Sequence, residues 1–69
     1  MPVYIIREGA TDRVKIGWAD DPAARCRQLQ TSHSEPLCVL RVVSGARSLE
    51  RWLQDRFAPQ RVRGEWYRF

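Results

Sequence analysis

Two short runs rich in β-branched and aromatic residues open the chain, VYIIRE at residues 3–8 and RVKIGW at residues 13–18. The segment GATD separates them, and its Gly9 and Asp12 are residue types that favour turns. Two such runs joined by a short turn predict an antiparallel β-hairpin. Every later element must pack against this hairpin or extend it.

Successive side chains of a strand point to opposite faces, so the second strand of the hairpin presents two different faces. Tyr4 lies near the start of the first strand, and Lys15 lies near the middle of the second. If these two polar side chains share a face, they form half of a site. The residues on one face of the second strand are Val14, Ile16 and Trp18, and those on the other are Arg13, Lys15 and Gly17.

A helix is predicted over the segment ADDPAARCRQLQTS, which follows the hairpin. Asp21 is a suitable N-cap, and Pro22 suits the first helical position. Arg25 and Arg27 lie on opposite flanks of the inward stripe, each about 100° from its centre, so periodicity leaves open which of them faces the hairpin. The inward stripe consists of Ala23, Cys26, Leu29 and Gln30.

Two further elements are predicted in the second half of the chain. The segment LCVLRVV is short, Val-rich and almost continuously apolar, which favours a buried third strand. A second helix is predicted from Ala46 to Phe57, with Pro59 beyond its end. Glu50 lies on the shoulder of the apolar face of this helix. That face consists of Ala46, Leu49, Trp52, Leu53 and Phe57.

The tail QRVRGEWYRF has a turn at Gly64 and predicts a short edge strand or a packed extension, with Trp66 mostly buried. The element order predicts an α+β fold: a small antiparallel three-stranded sheet flanked by two helices (ββαβα), with a short aromatic C-terminal extension. At 69 residues the chain suits a single small domain over residues 1–69. Burial of the aromatic tail between two copies would enlarge so small a core, so a homodimer is an alternative to a monomer.

Eleven of the twelve basic residues are Arg, and the formal net charge is +4. Because guanidinium groups form paired hydrogen bonds with phosphate, this charge favours a nucleic-acid partner, and solvated surface arginines are the alternative. No apolar run is long enough to span a membrane and no signal-peptide pattern is present, so we expect a cytoplasmic protein without membrane contact. Cys26 and Cys38 are predicted to be small buried residues in a reducing compartment.

Five short motifs follow one another along the chain: VYI, VKIG, P-x-x-R-x-x-x-L-Q, E-x-x-L-x-x-x-F and GEWY. In this order they resemble the GIY-YIG nuclease superfamily, most of all its compact phage and bacterial branch with KIG in place of YIG. The resemblance covers residues 3–67. It implies a small antiparallel sheet flanked by helices, and cleavage of DNA phosphodiester bonds with a divalent metal, Mg²⁺ or Mn²⁺, held by one Glu.

The resemblance also assigns individual positions. It places the first motif tyrosine at Tyr4, the motif glycine at Gly17, the helix arginine at Arg25 and the metal-binding carboxylate at Glu50. Lys15 stands where the superfamily has its second tyrosine. The assignment of Arg25 removes the ambiguity that periodicity left on the first helix.

These residue types suit phosphodiester hydrolysis. A hard divalent ion bound by one carboxylate keeps waters and takes phosphate oxygens, so Glu50 is the predicted metal ligand, with an ion pair to Arg47 as the alternative. Arg25 is predicted to bind the scissile phosphate, with a solvated helix arginine as the alternative. Tyr4 would accept or relay the proton of the attacking water, which needs a lowered phenol pKa, or else is a core tyrosine. Lys15 would lower that pKa or contact the phosphate, or else is an exposed strand lysine.

Basic and aromatic residues alternate in the tail and suggest how a substrate is bound. His33, in the loop SHSEP, would assist proton transfer or would be an exposed loop histidine. The residues predicted to bind backbone phosphates and stack on unpaired bases are Arg27, Arg61, Arg63 and Arg68 with Trp66 and Tyr67, and the alternative is that the two aromatic residues close a small core.

The sequence therefore supports three alternative functions. The first is a metal-dependent endonuclease that acts on DNA, with Tyr4, Lys15, Arg25 and Glu50 in its site. The second is a nucleic-acid-binding module of the same fold without the chemistry, which would bind DNA in a salt-dependent manner. The third is an interaction domain whose basic face contacts an acidic protein.

Overall fold

The computed structural model describes residues 2–9 and 11–69. Ala10, in the predicted turn of the hairpin, and Met1 lie outside the described residues. A short 3₁₀ turn, Ala58–Gln60, follows the second helix. The elements in chain order are β1 (Pro2–Glu8), β2 (Arg13–Trp18), α1 (Pro22–Gln30), β3 (Leu37–Ser44), α2 (Arg47–Arg56), β4 (Arg61–Arg63) and β5 (Trp66–Arg68).

The strands form one five-stranded antiparallel sheet in the order β3-β1-β2-β5-β4, with the predicted hairpin β1–β2 at its centre. The prediction of a three-stranded sheet is wrong, because the tail adds two strands. Gly64 has φ +57°, a left-handed conformation that glycine adopts without strain, and it reverses the chain so that β5 can pair with β2. The sequence predicted at most one short edge strand in the tail. Strands of three residues are too short to show a two-residue hydrophobic period, so the pattern did not resolve the tail into two strands.

β3 is an edge strand, and the prediction that it is buried is wrong. Leu40 and Val42 are 52% and 50% exposed. The continuous apolar run suggested that both faces of β3 are covered. However, α1 packs against β3 and β1, whereas α2 packs mainly against β2 and β1, so α2 leaves β3 largely uncovered. Cys38 on this strand is exposed, contrary to expectation, while Cys26 of α1 is partly buried and burial raises the pKa of its thiol.

One core cluster lies between α2 and one face of the sheet, while Tyr4 and Ile6 are buried on the other face. The buried residues of this cluster are Val3, Ile16 and Tyr67, and the side chains packed against them are Trp18, Leu49, Leu53 and Phe57. Trp52 is 60% exposed, so its assignment to the apolar face is wrong. It lies about 100° around the helix from the middle of the face that Leu49, Leu53 and Phe57 form, where no strand opposes it.

α1 begins as predicted but packs less tightly than α2. The Asp21 carboxylate caps it by accepting a hydrogen bond of 3.1 Å from the Ala24 amide, and Pro22 is its first residue. None of its residues is fully buried. Its attachment to the sheet is partly polar, because Gln30 Oε1 accepts a hydrogen bond of 2.7 Å from the amide of Leu37 in β3.

Among the described residues, neither helix has the length and apolar character that a membrane-spanning helix requires. Association of two copies stays a prediction.

Candidate functional site

Tyr4 and Lys15 share one face of the hairpin, as the predicted site requires. Tyr4 pairs with Gly17 and Lys15 pairs with Ile6, and directly paired residues of an antiparallel ladder lie on the same face. The Tyr4 ring passes over Gly17 so closely that a Cβ at residue 17 would overlap the phenol. Gly17 does not have a positive φ, so it is the packing of Tyr4, and not backbone conformation, that requires glycine here.

The Tyr4 phenol is buried, with 2% of the residue exposed. Burial raises the pKa of this phenol, the Arg25 guanidinium opposes the shift, and the charges of Glu65 and Glu50 add to it. The sequence-based mechanism required a lowered pKa, and the raised pKa of the buried phenol contradicts this expectation. At neutral pH Tyr4 is a protonated hydroxyl. Arg25 of α1 is exposed and its Nη1 donates a hydrogen bond of 3.3 Å to Gln28 Oε1, while its charge lowers the pKa of the phenol.

Lys15 is engaged by a carboxylate and is not an exposed strand lysine. Its Nζ donates a hydrogen bond of 2.8 Å to Glu65 Oε1, and the residue is 7% exposed. The ammonium also lies 5.8 Å from the centre of the Trp66 ring. Glu65 reaches this position because β5 pairs with β2, where the Ile16 amide donates to the Glu65 carbonyl at 3.1 Å.

Glu50 lies on the shoulder of α2, as predicted, and is 7% exposed. The ion pair with Arg47 is present, with 3.8 Å between Arg47 Nε and Glu50 Oε1, although the arginine side chain is 76% exposed. Gln54, one turn later, donates from Nε2 to the Ile16 carbonyl at 3.1 Å and to Glu50 Oε2 at 3.5 Å. Gln54 therefore binds β2 at Ile16 and holds the Glu50 carboxylate beside β2.

The electrostatics of Glu50 favour a bound cation. Burial raises the pKa of its carboxyl, the Glu65 carboxylate raises it further, and Arg47 and Lys15 oppose the rise. Glu50 and Glu65 are the residues that would hold a divalent ion, and its charge would relieve their repulsion. Within residues 2–9 and 11–69 no three His, Cys, Asp or Glu side chains cluster as metal ligands, so the remaining ligands would be waters and substrate oxygens. Such a ligand set suits Mg²⁺ or Mn²⁺, and the residues present therefore fit the predicted metal.

An open cleft of about 600 Å³ lies along α2, and the two carboxylates are in it. The lining residues are Arg47, Ser48, Glu50, Arg51, Gln54 and Glu65. The predicted nucleic-acid-binding residues Arg27, Arg61 and Arg63 are not among them. Arg27 lines a groove between α1 and β3, and the other two lie on the exposed strand β4. The structure thus does not bring these three arginines to the carboxylates.

His33 lies away from the carboxylates and links three parts of the fold. Its Nδ1 is 2.9 Å from the Leu29 carbonyl and its Nε2 is 3.6 Å from Glu8 Oε2. Its ring centre lies 5.2 Å from that of Trp66, with the two rings tilted by 40°, and Trp66 is partly buried and neighbours Lys15. The histidine thus fastens the loop after α1 to β1 and β5.

Sequence reasoning assigned no role to Glu65, Gln54 or Arg51. The signal for Gln54 was its spacing of four residues from Glu50, which places both on one side of a helix. The same spacing relates Arg51 to Arg47. Glu65 was visible within GEWY, but its contact with a residue 50 positions earlier depends on strand pairing that local patterns do not encode.

The T5orf172 domain family matches residues 1–69. This family is different from the GIY-YIG superfamily, so the resemblance drawn from the five motifs is wrong as an assignment, although both families are associated with nucleases. The motifs are short and recur by chance, whereas the match extends over the whole chain. The match supports a nucleic-acid-related role. No curated protein and no solved structure matches the chain.

Proposed function

Because the chain belongs to the T5orf172 domain family, we propose that it is a metal-dependent endonuclease that hydrolyses DNA phosphodiester bonds. One observation carries the proposal. The Glu50 carboxylate from α2 and the Glu65 carboxylate beside β5 line one open cleft, and their charges, with that of Arg25 from α1, act on the pKa of the buried Tyr4 phenol. Buried groups with shifted pKa values beside a cleft are typical of functional sites.

The reaction adds water across a phosphorus–oxygen bond: a water oxygen attacks phosphorus, and the bond to the leaving oxygen breaks. A divalent ion held by Glu50, with Glu65 beside it, would neutralise phosphate charge and lower the pKa of a bound water. Arg25 presents a planar set of N–H donors to the phosphate oxygens. Tyr4 keeps its proton at neutral pH and donates a hydrogen bond from a fixed position above Gly17. Lys15 holds Glu65 next to Glu50 through the 2.8 Å contact.

A nucleic-acid-binding module without cleavage is the second candidate. The observation that favours it is that Tyr4 remains protonated and Lys15 is bound to Glu65, so neither is free to act as a base. This candidate predicts salt-dependent binding of DNA and no metal-dependent strand scission.

The deciding experiment is nicking of supercoiled plasmid with Mg²⁺ or Mn²⁺ by the wild-type chain, Glu50→Gln and Arg25→Ala. The control is Arg41→Ala, an exposed arginine of β3 that pairs with Ile5, on the sheet face opposite Tyr4. We expect nicking by the wild type and the control, and a loss of at least about a hundredfold in the two site variants. Equal nicking by all four proteins would indicate a contaminating nuclease and would reject the assignment. Binding without nicking by the wild type would support the second candidate.

A further inference from the structure

We propose that Arg47 and Arg51, on the α2 wall of the cleft, bind the backbone phosphate next to the scissile one. The substrate is then an internal stretch of a polynucleotide strand, not a single phosphate group. This inference rests on the proposed function for the identity of the reacting centre and goes beyond it in assigning the path of the strand. These two arginines are distinct from the residues that the sequence suggested for nucleic-acid binding.

The first observation is the segregation of charge in the cleft. Its acidic part consists of Glu50 and Glu65, where a cation would bind, and the two arginines lie on the helix beside it. A cation bound at the carboxylates and the two arginines beside it would form two adjacent binding positions for anionic groups. A chain of phosphates has the matching pattern of charge.

The second observation is the spacing of the arginines. Four residues on a helix correspond to about one turn and a rise of about 6 Å, so Arg47 and Arg51 project from the same side of α2. Both are exposed, and Arg51 makes no hydrogen bond or ion pair with any residue in the described part of the chain. Its guanidinium donors therefore remain available for a ligand.

The third observation is that this arrangement is unfavourable in the free protein. Like charges four residues apart on a helix repel each other, and an anion bound between the two arginines would replace this repulsion with attraction. Arg47 is also partly ordered in advance, because its guanidinium lies 5.1 Å from the centre of the Trp18 ring and 3.8 Å from Glu50. A side chain that is already oriented loses less conformational entropy on binding.

Arg25 reaches the site from α1, on the side of Tyr4, whereas the arginine pair lies on α2. In the proposed site Arg25 would bind the scissile phosphate from α1, and the arginine pair would bind the neighbouring phosphate from α2. A ligand with a single phosphate can occupy one of these positions, and only a strand occupies both.

The test measures binding without cleavage. Anisotropy of a fluorescent single-stranded oligonucleotide is titrated in EDTA with the wild type, with Arg47→Gln/Arg51→Gln and with Arg56→Gln. Arg56 is the matched control because it is an exposed arginine of the same helix outside the cleft. Salt is varied between about 50 and 200 mM, and the slope of log K against log salt counts the phosphate contacts. Thermal unfolding of each protein confirms that the fold is retained.

We expect the double variant to lower the salt slope by about 1.4, which is two single-strand contacts, and to weaken binding at least about tenfold. Arg56→Gln should change neither by a comparable amount. The proposal is overturned if the double variant matches the control, or if inorganic phosphate displaces the oligonucleotide as effectively as an unlabelled strand does.

A second measurement distinguishes this proposal from the proposed function. Bis(4-nitrophenyl) phosphate is a diester with one phosphate, so the double variant should lower its hydrolysis much less than that of an oligonucleotide, whose KM should rise. Some loss with the small diester is expected, because Arg47 contacts Glu50. An equal loss with both substrates would contradict the phosphate contacts. If no protein hydrolyses either substrate, the endonuclease proposal fails, and the anisotropy result still decides the role of the arginines.

Discussion

The phenol ring of Tyr4 lies over its cross-strand partner Gly17, in the space that a Cβ at residue 17 would occupy. This contact fixes the phenol beside β2, where Arg25, Glu50 and Glu65 all influence its ionisation. The Tyr4 hydroxyl therefore holds this position because residue 17, on the neighbouring strand, has no Cβ.

Gly17→Ala should lower the free energy of unfolding by about 1–3 kcal/mol, because the buried ring has to move. In a Tyr4→Ala background the same change should cost much less, since the overlapping ring is gone. Urea unfolding of the four proteins gives the coupling energy. Gly64→Ala is the control: no atom lies within 4 Å of its added methyl, but φ +57° is strained for alanine by about 1 kcal/mol, whatever stands at residue 4. An equal cost of Gly17→Ala in both backgrounds would contradict the contact.

Above acidic pH, the Glu50→Gln variant should have a higher free energy of unfolding than the wild type. The folded state raises the pKa of Glu50 above its ordinary value of 4.5, so in that region the folded state binds more protons than the unfolded state. The stability of the wild type must therefore fall as pH rises from about that value through the raised pKa. The variant lacks this fall because it cannot ionise.

The measurement for this prediction is urea unfolding at a series of pH values. Asp55→Asn, which removes an exposed charge from the same helix, is the matched control. If the free energy of unfolding of the wild type ran parallel to that of Glu50→Gln over the whole pH range, burial would not destabilise the charged carboxylate. A stabilised variant that has also lost cleavage would indicate that the carboxylate is kept for function.

Lys15 and Glu65 should shift the pKa of Glu50 in opposite directions. Lys15→Met removes a cation that lowers this pKa, so the pKa should rise, whereas Glu65→Gln removes a carboxylate that raises it, so the pKa should fall. NMR titration of the Glu50 carboxyl carbon measures both shifts. Because Glu65 is 42% exposed, solvent screens the pair, and the coupling energy of a double-mutant cycle should be about 1 kcal/mol. Shifts in the same direction would refute the arrangement.

Asp21→Ala should cost about 1 kcal/mol of stability, because it removes the acceptor for the Ala24 amide at the start of α1. Asp21→Asn retains a capping oxygen and should cost much less. Since α1 carries Arg25 and has no fully buried residue, the alanine variant should also increase amide hydrogen exchange along this helix. Equal exchange in both variants would mean that other contacts hold α1.

Several features of the site follow from local sequence alone. The alternation of β2 placed Lys15 and Gly17 on one face and Ile16 on the other. The pairing of Tyr4 with Gly17 shows that Tyr4 shares the Lys15 face, which the sequence had left open. The Asp21 cap and the position of Glu50 beside the apolar face of α2 were predicted from neighbouring residues and helical period, and both are confirmed. These features depend on residues within a few positions of one another, so that strand and helix geometry are sufficient to derive them.

Other features depended on the tertiary structure. The fifth strand, the contact between Lys15 and Glu65 and the exposure of β3 all follow from which strands pair, and pairing joins residues as distant in the chain as Arg13 and Arg68. The raised pKa of Tyr4 depends on burial by several elements at once. The sequence determined what each segment can form and which side chains share a face. The tertiary structure decided which faces meet and which charges are desolvated, because both depend on contacts between segments distant in the chain.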